Sequence, residues 1–180
     1  MIIKSKELLS ELNQLVSSHI EYAKYLKSLS EDSLQKKTNT KSWSSLECVE
    51  HLNLYAAFYN PEILKRLKRA STTKSDNFKS GYLGNKFALD MLPKKGMKTM
   101  NTFKSKNPIH SKLHKEKVLN DFITYQEELL DLLNLSKDKD LTKIKTSITL
   151  PFLKFRLGDT FRFVIYHNER HIAQAKRALL

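Results

Sequence analysis

Two histidines stand four residues apart in His167-Asn-Glu-Arg-His171. At that spacing they share one face of a helix, roughly 6 Å apart, and two imidazoles so placed can meet one metal ion. Thr160, Val164, Gln174 and Leu179 fall near the same side, which turns the pair inward. The spacing alone is weak, because His110 and His114 repeat it. Those two lie in "NPIHSKLHKEK" among Lys112, Lys115 and Lys117, whose ammonium groups disfavour a cation. They read as exposed and free of metal.

A metal site needs a third protein ligand, with water or substrate filling what remains of a catalytic site. His51 is the candidate, on a helical stripe of Glu47, His51, Leu54, Tyr55 and Phe58. A lone histidine on an apolar face is ordinarily a satisfied core residue. The second helix with its two inward imidazoles is what makes His51 a ligand candidate. Cys48, three residues earlier, reaches toward the same face and stays open as a competing ligand. His19 lies on another apolar stripe with no second ligand near it, so it reads as a core-edge or surface histidine. A zinc-protease reading fails. That motif puts glutamate directly after the first histidine, whereas Glu169 comes two residues later, rotated roughly 200° from His167. Glu169 is expected to orient a neighbour or pair with an arginine, and no residue is assigned as catalytic.

The elements that must position these residues are helices. Leu8, Leu12, Leu15, Val16, Tyr22, Ala23 and Leu26 mark a first helix from about Lys4 to Leu29. Ser44-Ser-Leu-Glu47 is a capping box that opens the helix of His51, with Trp43 placed to pack over its entrance. Pro61 is expected to kink that helix or to end it. Residues from about Ser71 to Ser111 are the least regular, with a short helix expected in "GYLGNKFALDML". A third long helix runs from about Lys112 to Leu135. Gly158-Asp159 supplies a turn and an N-cap for the last one. With no strand pattern of any length, these four long helices predict an all-α, single-domain four-helix bundle over residues 1–180.

Composition sets outer limits. A chain of 180 residues buries enough surface to need no disulfides, and Cys48 has no cysteine to pair with. No signal-peptide pattern opens the sequence, and no apolar run approaches the ~18 residues of a membrane span. A cytoplasmic protein with no membrane partner is expected. Glycine and proline number four each, sparse punctuation that suits long helices. The net charge is +13, and Lys65 to Lys117 hold fifteen basic against three acidic residues. Such a segment could attract nucleic acid, an acidic lipid surface or an anionic small molecule, or serve solubility alone. Few aromatics interleave with its lysines, which argues against nucleic acid.

Trp43-Ser44 and Glu47, then His51-Leu52, Leu157-Gly158 and "HNERHIAQAKR" together resemble the DinB-like superfamily, in order and spacing over most of the chain. The resemblance implies a four-helix bundle of up-down-down-up topology and one divalent ion, zinc or nickel, held by His51, His167 and His171. The long basic connection between the second and third long helices matches the family's pattern poorly. Characterised members are thiol-dependent transferases and isomerases, among them relatives of mycothiol-dependent maleylpyruvate isomerase and bacillithiol transferases. Members are frequently dimers, so a homodimer is allowed for here.

The leading expectation is a metal-dependent thiol S-transferase, in which the metal binds a thiol cosubstrate, lowers its pKa and presents a thiolate. A hydrolase could use the same ligands. Two readings from other classes are a basic helical protein that binds nucleic acid through Lys65 to Lys117, and a bundle that metal merely staples.

Overall fold

The helix that carries His51 begins where its capping box sets it. Ser44 Oγ accepts the Glu47 amide at 3.2 Å and Glu47 Oε2 accepts the Ser44 amide at 2.8 Å. Lys37 Nζ donates to the other Glu47 oxygen at 2.6 Å and fixes the carboxylate.

The computed structural model describes residues 1–94, 102–109 and 111–180. In chain order these form β1 (Ile2–Lys4), α1 (Ser5–Lys27), α2 (Glu31–Gln35), α3 (Ser45–Arg69), β2 (Asn77–Lys79) and α4 (Tyr82–Met91). A 3-10 turn (Lys104–Lys106), α5 (Lys115–Leu135), β3 (Lys145–Ser147), β4 (Lys154–Arg156) and α6 (Leu157–Ala178) follow. The protein is mostly helical. His110 and residues 95–101 of the basic segment lie outside the described residues.

Strands are a departure from the sequence reading. β1 pairs antiparallel with β2 through Ile3 and Phe78, and β3 with β4 through Thr146 and Phe155. A three-residue strand is too short for apolar alternation to show, so neither pair was legible. Each pairing still has consequences: the first leads into α4, the second into α6.

α3 also departs from expectation by running unbroken through Pro61. Proline there gives up one backbone bond, to the carbonyl of Ala57. Tyr59, Ile63 and Leu67, all buried, continue the apolar face beyond it and hold the helix together.

The start of α6 needs correcting as well. Its N-cap is Arg156, with no side-chain cap, and Gly158 and Asp159 already lie inside the helix. Asp159 is fully buried and caps α4 instead: it accepts the Gly81 amide at 2.7 Å and the Ser80 hydroxyl. Two glycines permit this closeness. A Cβ on Gly84 would lie 2.6 Å from Asp159 Oδ2, and one on Gly158 would lie 2.6 Å from the Phe78 ring. Gly84→Ala is therefore expected to destabilise the protein by about 1–3 kcal/mol, read as a lower urea midpoint. An unchanged midpoint would show that α4 is not held this tightly.

α1 and α3 each pack against both α5 and α6, and α4 lies on α6. Two apolar clusters fill the interior. One holds Leu12 of α1, Ile63 of α3, Leu132 of α5 and Phe161 of α6. The other holds Leu26, Val49, Leu119 and Ile172 from the same four helices. α1 and α6 thus meet the first cluster before the second, while α3 and α5 meet them in reverse order. On α6 the two histidines fall between the residues of the two clusters, and on α3 His51 lies among those of the second. Among the described residues no helix is long and apolar enough to cross a membrane.

The described part of the basic segment is spread over the end of α3, β2, α4, the 3-10 turn and the start of α5. Several of its charges are engaged locally. Lys86 pairs with Asp90 and Lys117 with Asp121, while Lys106 and Lys115 donate to the carbonyls of Leu54 and Leu29.

Candidate metal centre

α3 supplies His51 and α6 supplies His167 and His171, and one ring nitrogen of each lies within 4.8 Å of the other two. His51 Nε2 and His167 Nε2 are 3.3 Å apart. Two nitrogens about 2.0–2.1 Å from one tetrahedral ion stand about 3.3 Å from each other, so the spacing suits a shared ion. The outer nitrogens are engaged elsewhere. His51 Nδ1 donates to the Lys106 carbonyl at 2.6 Å, and His171 Nδ1 meets Gln174 Oε1 at 2.9 Å. With Nδ1 so used, the Nε2 lone pairs of both rings are left for a cation.

Aromatic rings hold the imidazoles in place. The Trp43 ring lies 4.6 Å from His51 and 5.6 Å from His171, and its Nε1 donates to Asn107 Oδ1 at 3.1 Å. Tyr55 stands 4.9 Å from His51 and 4.6 Å from His167. Phe163, one turn before His167, stacks nearly parallel to it.

Burial keeps the three rings neutral. It lowers the His51 pKa to about 4 and that of His171 to about 3, the latter helped by the neighbouring His51. Burial also holds His167 well below the usual imidazole value, with His171 and His51 adding to the effect. Neutral imidazole is the form that binds metal.

These shifts carry a stability consequence for the metal-free protein. Below pH 6.5 the unfolded chain takes up protons on these histidines, and the folded chain resists until about pH 4. Stability therefore falls as pH drops through that window, by up to about 1.4 kcal/mol per histidine per pH unit. Urea midpoints at pH 7, 6 and 5 should decline in the native sequence and less steeply in His171→Gln. A flat profile between pH 7 and 5 would contradict buried neutral rings.

The histidines line a cavity of ≈ 690 Å³. Phe87 and Met91 of α4, with Ile148 and Leu150, give it an apolar wall, while Lys41, Arg170 and Arg177 contribute cationic groups. Volumes of this order belong to small-molecule sites.

The other sequence candidates separate from this centre. Cys48 is buried, its thiol pushed up to about 12 by burial and then by Glu47, and it does not join the histidine cluster. His114 is exposed, as expected, and its partner His110 lies outside the described residues. His19 is not at the surface: it is 1% exposed and meets Oε1 of the partly exposed Glu169 at 2.6 Å. Glu169 thus pairs with a histidine of α1 and not with an arginine, and that contact lowers its pKa. Asn168 donates to Gln126 of α5 at 3.0 Å. The residues between the two α6 histidines tie that helix to its neighbours.

Sequence reasoning missed the groups that orient the rings. Gln174 stands three residues after His171, a spacing that could have flagged it. The Lys106 carbonyl, 55 residues from His51, leaves no mark in the sequence.

A family model described as the DinB superfamily matches residues 14–175, a span that includes all three histidines. No curated protein and no solved structure matches the chain.

Proposed function

This chain belongs to the DinB superfamily, and from that premise we propose that His51, His167 and His171 hold one divalent ion, zinc or nickel, in a thiol S-transferase. The observation that carries the reading is a trio of neutral imidazoles on the wall of a cavity large enough for a cosubstrate. A purely structural zinc site is closed by four protein ligands, whereas three protein donors leave room for an exogenous group. A divalent ion there supplies Lewis acidity, which lowers the pKa of a thiol or water that meets it.

The chain's own residues do the rest. The Lys106 carbonyl and Gln174 set the ring orientations of His51 and His171. Trp43 and Tyr55 pack against the imidazoles and keep bulk water from their faces. The apolar wall of Phe87, Met91 and Leu150 offers a dry surface to an electrophile. The order in which the long helices meet the two core clusters supports an up-down-down-up four-helix bundle as the scaffold.

The test begins with the metal content of tag-free protein by mass spectrometry. Zinc-loaded and nickel-loaded protein is then incubated with cysteine or glutathione and 1-chloro-2,4-dinitrobenzene. Metal-dependent thioether formation is the expected result. Turnover of p-nitrophenyl acetate without thiol would replace the transferase by a hydrolase. If chelation lowers the melting temperature and neither reaction occurs, the metal is a staple and the enzymatic reading is wrong.

A further inference from the structure

The cavity has one feature that thiol chemistry does not require: its charge is of a single sign. Lys41, Arg170 and Arg177 line it, and among the described residues no aspartate or glutamate does. Arg170 and Arg177 share the α6 face of His167, His171 and Gln174, with Arg177 seven residues beyond Arg170. We propose that these two arginines form an anion subsite, and that the cavity takes a small organic acid whose carboxylate meets them while its apolar body lies against Phe87, Met91 and Leu150. The proposal rests on reading this cavity as the reaction site and names the class of molecule that enters it.

Several observations support it. Arg170 is 7% exposed, unusual for an arginine whose role is solubility. Its Nη1 donates to the Asp90 carbonyl at 3.2 Å, which fixes the guanidinium at the end of α4. The Asp90 carboxylate itself pairs with Lys86 on the exposed side of α4. Arg177 lines the same cavity two turns further along α6. Planar guanidinium is the side chain suited to bind a carboxylate. The wall from α4 and the residues after β3 is apolar, so the complementary ligand is an acid with a hydrocarbon body.

Calorimetric titration with 3-phenylpropanoate and its neutral counterpart 3-phenylpropan-1-ol tests this, on zinc-loaded and on chelator-treated full-length protein. Arg177→Gln is the first variant because Arg177 is exposed and its loss should not disturb folding; Arg170→Gln is the second. The acid is expected to bind about tenfold or more tightly than the alcohol. Each variant should lose about tenfold for the acid and nothing for the alcohol, in both metal states. Equal binding of the two probes, or no detectable binding of the acid, overturns the proposal. So does acid binding that vanishes with the metal and ignores Arg177→Gln; the carboxylate then sits on the ion, and the metal-site reading stands. Should the protein refuse metal, the chelator-treated arm still decides the arginine subsite.

Discussion

His167→Ala is expected to abolish stoichiometric metal binding while leaving the helical fold in place. Its Nε2 stands 3.3 Å from that of His51, and no aspartate, glutamate or cysteine joins the cluster among the described residues to replace it. Two imidazoles remain, below the three protein ligands that catalytic zinc sites use. Loss of an outer-sphere partner alone costs about 10–100-fold in metal affinity, and loss of a direct ligand must cost more. Gln174→Ala supplies the internal comparison. It leaves three ligands but removes the acceptor that holds the His171 ring, so it should fall within that smaller range. The fold should survive His167→Ala because the ring lines an existing cavity, which water can fill where the imidazole stood. The readout is metal per chain by mass spectrometry after dialysis, beside helical content by circular dichroism. A variant that keeps near-stoichiometric metal would remove His167 from the ligand set and with it the proposed centre.

What the sequence revealed of this site follows from the range of the interactions involved. The capping box at Ser44 and the pairing of His167 with His171 are contacts within one or two turns, and spacing encodes such contacts directly. His51 is remote, yet it could be singled out because metal chemistry restricts which residue types can serve as the third ligand. The Lys106 carbonyl could not be found this way, because every residue has a carbonyl. His19 and Glu169 show the same limit. Each has a type that reads as a surface or core-edge group, and only the packing of α1 on α6 shows that they meet. The strands escaped for a different reason, since three residues hold too little pattern to tell from a loop.

Asp159 is the residue the sequence reading placed furthest from its role, and it supplies the largest expected loss of stability. Asp159 and Arg162 lie three residues apart on α6, a spacing that on a solvated helix makes a weak surface pair. Here the partners are 0% and 2% exposed, so the balance of forces changes. Arg162 Nη1 lies 3.4 Å from Asp159 Oδ1 and also reaches Asn85 Oδ1 at 3.0 Å, while its Nε is buried without a partner. Asp159→Asn keeps the size of the side chain, removes the carboxylate facing this guanidinium, and turns an NH2 toward either Ser80 or the Gly81 amide. An uncompensated buried charge costs about 3–5 kcal/mol, so the urea midpoint should fall sharply. The damage should begin at α4, whose N-terminus Asp159 caps, and faster amide exchange over Tyr82–Met91 would report it. Metal binding should change far less, because His51, His167 and His171 make no contact with this network. Adding Arg162→Met distinguishes the causes. If the stranded charge dominates, the double variant recovers part of the stability despite carrying one more substitution. If Asp159→Asn alone costs less than about 1 kcal/mol, the pair is hydrated, and the cap on α4 is worth no more than an ordinary helix cap.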